Sequence, residues 1–585
     1  MRNHKLHFLL LLLFIVAGMS NCTQEKADQK RDRKIVANPM NLNYRFQYDG
    51  ASRREAADPV IEYFKGKYYL FASKSGGYWS SPDLADWTFI PCKTITTLEH
   101  YAPTIMVMND AMYFMNSTSP KIFKNSNPDI DNWEDIESEF EFQIAGSVDP
   151  SFFLDDDGRV YIYWGCSDKD PIIGVEVDPK NKFKVIGEAK ILIEHNQDKY
   201  GWEVKGENNH LGVAGYNEGP AMIKYKGKYY LQYAAPGTEV RVYGAGVYMS
   251  ENPLGPFTYV ESNPFSFKPG GFAAGAGHGH VFEDKYGNYW HVATIKISER
   301  HMFERRLGLF PAFMDNYDEL QCHTVLTDYP FYIPEEKIDF TKNDLSLGWN
   351  ILSFDKEATA SSSLPDYEIE KANDEQIETW WAAQTGKANE WWQVDLEKKM
   401  RVEAIQVNFA DHNFTNKAED PRPYYQYIIE ASNNGTDWDL IIDRRANTED
   451  MPHELIVLDE PLKTRFVRIT NTKDMDGNFS LYDLRVFGDG LGKSAQTVSD
   501  LTINRNKTDS RIITIEWEPA KHATGYIVRW GVRKDQLNNA KMIYSENEFE
   551  GRFFNRDSNY YFSIDSFNEN GITQNNKIYE APKPS

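Results

Sequence analysis

Cysteine is scarce in this chain, four in 585 residues, and no two are spaced as a pair. That excludes a disulfide framework and a cysteine-based metal site. Beyond the first residues no apolar run is long enough to span a bilayer. Low-complexity tracts are absent. Positive charge is in deficit: 64 Lys and Arg stand against 87 Asp and Glu, a net charge of -23, so neither nucleic acid nor an anionic membrane face is expected as a partner. What the chain does have is aromatic residues, 14% of the total within 41% hydrophobic. This is the composition of folded, strand-rich domains. The length exceeds what one hydrophobic core serves, and three or four domains are expected.

The chain opens with "MRNHKLHFLLLLLFIVAGMSNC": a short basic head, an apolar run centred on Leu9 to Val16, then small residues before Cys22. That is the form of a signal peptide over residues 1–21. The Met-Ser-Asn-Cys end resembles a bacterial lipobox, which implies cleavage that leaves Cys22 lipidated. An ordinary secretory signal followed by a free Cys is the alternative. The polar stretch that follows, within 22–40, reads as a tether, and the protein is expected in the bacterial cell envelope, anchored by lipid at the outer membrane. Of the other cysteines, Cys92, Cys166 and Cys322 sit in strand-like surroundings and read as buried, inert thiols.

One phrase recurs. "ADPVIEYFKGKYYLFAS", "YAPTIMVMNDAMYFMNS", "VDPSFFLDDDGRVYIYWG", "NEGPAMIKYKGKYYLQYAA" and "GHGHVFEDKYGNYWHVA" each place a marked residue ahead of a strand, a turn and a second strand. The marked residues are Asp58, Ala102, Asp149, Glu218 and His278. A second hairpin signal follows each phrase, for example "YWSSPDLADWTFI" and "GVYMSENPLGPFTYV". Two hairpins make a four-stranded blade, and self-similarity at a period of roughly 40 to 50 residues is the mark of a propeller. An all-β, five-bladed propeller over 41–334 is therefore expected.

In a propeller the first strand of every blade lines the central channel, so the residues that open those strands share one mouth. A lone Asp-Pro is an ordinary turn or strand start. Three carboxylates in register with a five-fold repeat form a constellation. Glycoside hydrolysis needs one carboxylic acid to protonate the leaving oxygen and one carboxylate to activate water. A third carboxylate nearby disfavours ionisation of the acid and keeps it protonated.

These motifs resemble glycoside hydrolase family 43, over roughly half the chain. The resemblance implies that Asp58 is the general base, Glu218 the general acid and Asp149 the residue that tunes and orients the acid, in an inverting reaction. "GAGHGHVFED" is similar to the family's fifth-blade Gly-His-Gly, which makes His278 the candidate for a calcium-associated histidine. No cofactor is required for the chemistry, and a structural Ca2+ is the one ion the resemblance implies. Arg305 in "ERRLGLFPAF" corresponds to a family arginine near the substrate, with Arg306 as the alternative. Tyr78, Trp79, Tyr101, Trp164 and the insert Asn196 to Tyr216 are the expected pocket walls.

Beyond Pro334 the repeat stops. The region 335–490, with "YIIEASNNGTDWDLI" and "RFVRIT", resembles a discoidin or coagulation-factor type C β-sandwich, the fold of carbohydrate-binding module family 32. Its pairs Trp380-Trp381 and Trp391-Trp392 are expected in the scaffold rather than on a sugar. Residues 496–585 resemble a fibronectin type III sandwich, through "IITIEWEPAKHATGYIVRWG" and "SNYYFSIDSFNENGIT". A spacer or docking role is expected of it.

Two classes of function follow: an exo-acting glycosidase, or a surface lipoprotein that binds sugar with an inactive propeller. The trio favours the enzyme, since a pure binder gains nothing from three mutually repelling acids at one mouth. The partner is an oligosaccharide or polysaccharide. Arabinofuranosidase and xylosidase activity rank first, with galactofuranosidase or galactosidase behind. For the anchor, Cys22→Ala is expected to release the protein into the soluble fraction in the absence of detergent. Sedimentation with membranes would refute the lipobox reading.

Overall fold

The computed structural model describes residues 33–47, 52–144, 148–415 and 424–584. The signal-like segment and Cys22 lie outside the described residues. Among the described residues, strands between Val60 and Cys322 form five antiparallel blades, all four-stranded except blade 4, which Cys166–Ser167 and Ser266–Phe267 extend to six. Their inner strands are Val60–Phe64, Thr104–Met108, Ser151–Leu154, Asn217–Tyr225 and Ala274–Glu283. These neighbour one another in cyclic order, the fifth against the first. The repeated phrase thus forms the first hairpin of every blade, as its alternation requires.

The hairpin turns follow from residue chemistry. In blade 1, Lys65 and Gly66 have φ of 48° and 89°, and in blade 4 Lys226 and Gly227 have 49° and 81°. Positive φ at both central residues is a type I′ turn, whose twist matches that of the strands it joins. Between the blades lie apolar layers. Trp79 and Leu70 of blade 1 pack with Trp290 and Leu309 of blade 5, and Phe71 packs with Phe114 of blade 2. Met115 of blade 2 shares a layer with Trp164 of blade 3, and Val247 of blade 4 one with Phe310 of blade 5. The ring is reinforced where Ile35–Val36 pairs antiparallel with Phe331–Tyr332.

The second unit is a β-sandwich whose strands run from Asn350–Ile351 to Ser480–Asp489. Two 19-residue strands, Trp391–Phe409 and His453–Asn471, carry it. Their register shifts between Asp395 and Met400 and again between Val402 and Ala404. Such irregularities let one strand bend and serve two layers. Trp381 and Trp392 are fully buried in its core, where the sequence reading places them. Trp380 packs on Tyr367 and Tyr482, and Trp391 is half-buried. The third unit packs a three-stranded sheet, with Leu501–Arg505 at its edge, against a five-stranded sheet centred on Gly525–Gly531 and Tyr560–Asn568.

The tail does more than space or dock. Tyr163, Tyr200, Trp202, Tyr233 and Phe267 of the propeller share one hydrophobic cluster with Trp530, Phe553 and Phe554 of the tail. Polar contacts ring that cluster. The Gly201 N–H donates to the Phe554 carbonyl at 3.1 Å, the Arg556 N–H to the Lys199 carbonyl at 2.8 Å, and Arg533 holds Glu319 with both Nη atoms at 2.7 and 2.5 Å. The discoidin-like unit is bound by apolar packing, Ile377, Trp380 and Tyr482 sharing a cluster with Phe272 and Ala276 of the propeller, and by charge. Arg54, fully buried, reaches Asp411 at 2.7 Å and Asp450 at 2.5 Å, and Arg306 donates to His453 Nε2 at 3.0 Å.

A chain ending at Pro334 removes both sets of partners. It leaves Phe267 and Trp202 facing water and Arg54 without its carboxylates, and losing one side of a buried ion pair costs about 3–5 kcal/mol. The truncated propeller is expected to aggregate, or to melt roughly 10 °C or more below the full chain. Differential scanning calorimetry of the two proteins decides it. An unchanged melting temperature would refute the shared core.

Candidate active site

Ahead of the inner strands of blades 1 to 3, and within those of blades 4 and 5, one residue takes the left-handed region. Asp58, Ala102 and Asp149 have φ of 54°, 50° and 54°, His278 has 27°, and in blade 4 the residue is Gly219 at 57°. Such a conformation costs an L-residue roughly 1–2 kcal/mol, and a following proline, present at 59, 103 and 150, disfavours helical conformations further. A hydroxyl from the neighbouring blade holds each of three kinks. Thr294 of blade 5 accepts the N–H of Asp58 at 2.8 Å. Ser73 of blade 1 accepts that of Ala102 at 2.8 Å, and Ser117 of blade 2 that of Asp149 at 2.9 Å. Each hydroxyl stands at the end of its blade's second strand.

These kinks deliver their side chains to one pocket of about 390 Å³, lined by Asp58, Tyr101, Asp149, Glu218, His278 and Arg305 among others. Ring order sets the geometry. Blades 1 and 4, which carry Asp58 and Glu218, are not neighbours, and blade 5 stands between them with His278. Blade 3 does adjoin blade 4. One oxygen each of Asp149 and Glu218 and the sulfur of Cys166 accordingly lie within 4.8 Å of one another. The Gly219 N–H donates to Asp149 Oδ2 at 3.2 Å.

The three carboxyls ionise differently. Burial pushes Asp58 up, but Arg305, with Nη1 at 3.6 Å, His278, with Nδ1 at 3.3 Å, and the Ser73 hydroxyl, donating at 2.6 Å, together hold it below the usual carboxylate range. Asp149 moves the other way. Burial raises it first, the charges of Glu218 and Asp58 add to that against the opposing pull of His278, and it is pushed up to about 7. Glu218 is raised by burial and by Asp58, against His278 and the hydrogen bonds from Cys166 and Tyr243. His278 is raised: burial lowers it, but Asp58, Asp149 and Glu218 outweigh that. One carboxylate is therefore fixed in the charged form, and the Asp149 and Glu218 pair retains a proton near neutrality.

The structure separates the expected site residues. Arg305 is the pocket arginine: its Nη2 donates to Glu55 at 3.0 Å and its Nη1 to Thr238 at 3.2 Å. Arg306 turns away to the discoidin-like unit. Tyr101 lines the pocket, with the Arg305 guanidinium 5.8 Å from its ring centre. Trp79 and Trp164 do not. Trp79 is fully buried between blades 1 and 5, its Nε1 donating to Asn43 at 2.7 Å, and Trp164 is fully buried against Phe140 and Phe142. Trp164 stands on the second strand of blade 3 and Trp79 on the third strand of blade 1, and both side chains pack into the layers between blades. Tyr78 is likewise buried, stacked on Phe71. The insert does reach the pocket, through Lys205 and Tyr216.

Other contributors were not read from the sequence. Tyr243 donates its hydroxyl to Glu218 Oε1, and Cys166, far from an inert core thiol, donates to Oε2 at 3.0 Å. Glu55, Met302 and Phe303 complete the surroundings of Arg305. Ser73 and Ser117 had a signal, since each ends its copy of the repeated phrase, and Thr294 directly follows the last copy. The expected calcium ion has a poorer fit. Calcium takes six to eight oxygen ligands, whereas His278 turns Nδ1 to Asp58 and Asp149, at 3.3 and 3.5 Å. That is the position of an imidazolium balancing carboxylates, and no step below runs through an ion.

A pocket at the mouth of a five-bladed propeller, lined by one carboxyl held ionised and by a pair that retains a proton, has the parts for acid–base hydrolysis of a glycosidic bond. Residues 52–314 match the model of Glycosyl hydrolases family 43, and residues 357–483 match that of the F5/8 type C domain. Residues 52–314 thus form a family 43 domain, followed by an F5/8 type C domain, and this supports a glycoside hydrolase. Among curated relatives, the beta-D-galactofuranosidase xynD of Aspergillus niger is 25% identical over 273 residues, 40% of this chain and 72% of that protein. A beta-xylosidase of Xylanibacter ruminicola is 30% identical across 19% of this chain and 40% of its own length. An arabinoxylan arabinofuranohydrolase of Paenibacillus polymyxa is 35% identical across 27% of this chain and 24% of its own.

The shared proton sets the pH dependence. An acid must be protonated to act, so kcat/KM is expected to fall as pH rises through about 7, where Asp149 and its partner lose that proton. Asp149 and Glu218 hold that proton between them, and Asp149→Asn is expected to leave Glu218 without a second ionising carboxyl beside it. The basic limb should therefore move to lower pH, and a limb that stays in place would exclude Asp149 from this role.

Proposed function

We propose that this hydrolase acts on pentose-containing glycans as an alpha-L-arabinofuranosidase or beta-xylosidase, with Asp58 as base, Glu218 as acid and Asp149 as the residue that tunes the acid. The observation that carries the roles is the asymmetry of ionisation. Asp58, charged by Arg305 and His278, is suited to deprotonate water, and Glu218, raised by burial beside Asp149, is suited to give a proton to the leaving oxygen. Ser73 orients the base through its 2.6 Å bond to Oδ2. Arg305 is positioned by Glu55 and Thr238 to bind substrate, with Tyr101 beside it.

The choice of pentosides is supported by relatives named as a beta-xylosidase and an arabinoxylan arabinofuranohydrolase. The relative matched over most of its length is named as a beta-D-galactofuranosidase, and galactofuranosides are the second reading. The lipobox-like end at Cys22 supports a lipid-anchored protein of the bacterial envelope, where polymeric glycans are met. A panel of nitrophenyl arabinofuranoside, xyloside and galactofuranoside separates the substrate readings. Turnover of the galactofuranoside alone would overturn the pentoside assignment.

The roles are separable by leaving group. General-acid help is worth about 10² to 10⁴ in rate and matters most where the departing oxygen is a poor leaving group. Glu218→Gln should lose most activity on an oligosaccharide yet keep a much larger share on a dinitrophenyl glycoside. Asp58→Asn removes the base whatever departs, and both substrates should suffer alike. Equal losses for Glu218→Gln on the two substrates would remove it from the acid role.

A further inference from the structure

We propose that Cys166 is a positioning residue for the proton donor: together with Tyr243 it fixes the Glu218 carboxyl while leaving the transferable proton uncommitted. The inference rests on the assignment of Glu218 as the acid. Its placement comes from the backbone. The short strand Cys166–Ser167 pairs antiparallel with the start of the blade 4 inner strand, Cys166 directly opposite Glu218 and Ser167 opposite Asn217. Residues directly opposed on one face of an antiparallel pair bring their side chains together, and the sulfur accordingly lies 3.0 Å from Oε2. Tyr243 occupies Oε1. The carboxyl is held at both oxygens, and Cys166 also borders the pocket.

The choice of sulfur matters for the proton. A thiol is a weak donor and a weak acceptor, whereas a hydroxyl is good at both. Protonated Glu218 must hand its proton to the glycosidic oxygen. A hydroxyl at position 166 would compete for that proton as an acceptor, and it would stabilise the carboxylate more strongly as a donor. A thiol does little of either and still fills the space beside Oε2. It also stays neutral: burial, with Asp149 and Glu218 nearby, pushes the Cys166 thiol far up, so no thiolate faces the acid. The other groups acting on Glu218 are Asp149 and His278 on the adjoining blades 3 and 5 and Asp58 on blade 1, with Tyr243 on its own blade. Across the pocket stand Arg305, Lys205, Tyr216 and Glu239. None of these is altered by substitution at 166.

The test is the basic limb of the kcat/KM profile on an oligosaccharide. Cys166→Ser, nearly isosteric, should move the limb to lower pH by about half a unit, because a better donor favours the charged form. It should also slow the oligosaccharide several-fold while sparing a dinitrophenyl glycoside. Cys166→Ala removes the donor and should move the limb the opposite way by a similar amount. Opposed shifts from two small side chains are not what loss of packing produces. Limbs that stay in place in both variants, with melting temperatures near wild type, would overturn the proposal. Glu218→Gln is measured alongside. If it keeps its oligosaccharide activity, the acid assignment falls and this inference with it. If that activity collapses while the limbs of the Cys166 variants do not move, only the role of Cys166 falls.

Discussion

The arrangement depends on a backbone kink that is unfavourable in isolation. Left-handed residues ahead of proline open three of the five inner strands, and the hydroxyls of Thr294, Ser73 and Ser117 take up their N–H groups. Each bond crosses from one blade to the next. Local strain in one blade is thereby offset by a partner whose position is fixed by the hairpin of another, and strained backbone of this kind persists where its surroundings over-determine it. The kink turns the side chain of the preceding loop toward the axis instead of along the sheet face. Asp58 and Asp149 reach the pocket by this route. Ser73 has a second task, since the hydroxyl that accepts from Ala102 also donates to Asp58.

The pocket that results is a balance of opposite charges in a confined space. Three carboxyls, with Glu55 behind Arg305, face one guanidinium and one imidazolium. Full ionisation would leave the acids in excess, and retaining a proton on Asp149 or Glu218 relieves that excess. The asymmetry follows from contact: Asp58 has both cations beside it, His278 at 3.3 Å and Arg305 at 3.6 Å, whereas Asp149 and Glu218 stand on adjoining blades and repel each other.

Much of this was legible in the sequence because it is local and repeated. A turn, two strands and a marked residue fall within fewer than twenty positions, and five copies in register place Asp58, Asp149, Glu218 and His278 at one mouth. What escaped was non-local or depended on which way a strand faces. Trp79 and Trp164 lie in phrases close to the site, but alternation on the third strand of blade 1 and the second of blade 3 sends them between blades, and sequence alone does not fix which layer a blade's twist assigns them. Tyr243 and Cys166 meet Glu218 through strand pairing and through the third strand of blade 4, neither of which the phrase contains. The tail was recognisable as a sandwich from its own pattern. Its aromatic face toward blade 4 was not, since Phe553 and Phe554 read equally well as internal core.

That shared face also bears on the order of assembly. Gly201 and Phe554 are separated by more than half the chain, yet the outer surface of blades 3 and 4 is closed only when the last strands are present. A nascent propeller lacking those strands holds Tyr200, Trp202 and Phe267 without their cover, and exposed apolar surface of this kind promotes aggregation during folding. Contacts of such long sequence separation also form late, because the loop between them must close first. The tail therefore acts as the closing step of the fold: a molecule cut short during synthesis, or clipped near its C-terminus before it folds, is left with an unsealed blade, however complete the carboxylates of its pocket.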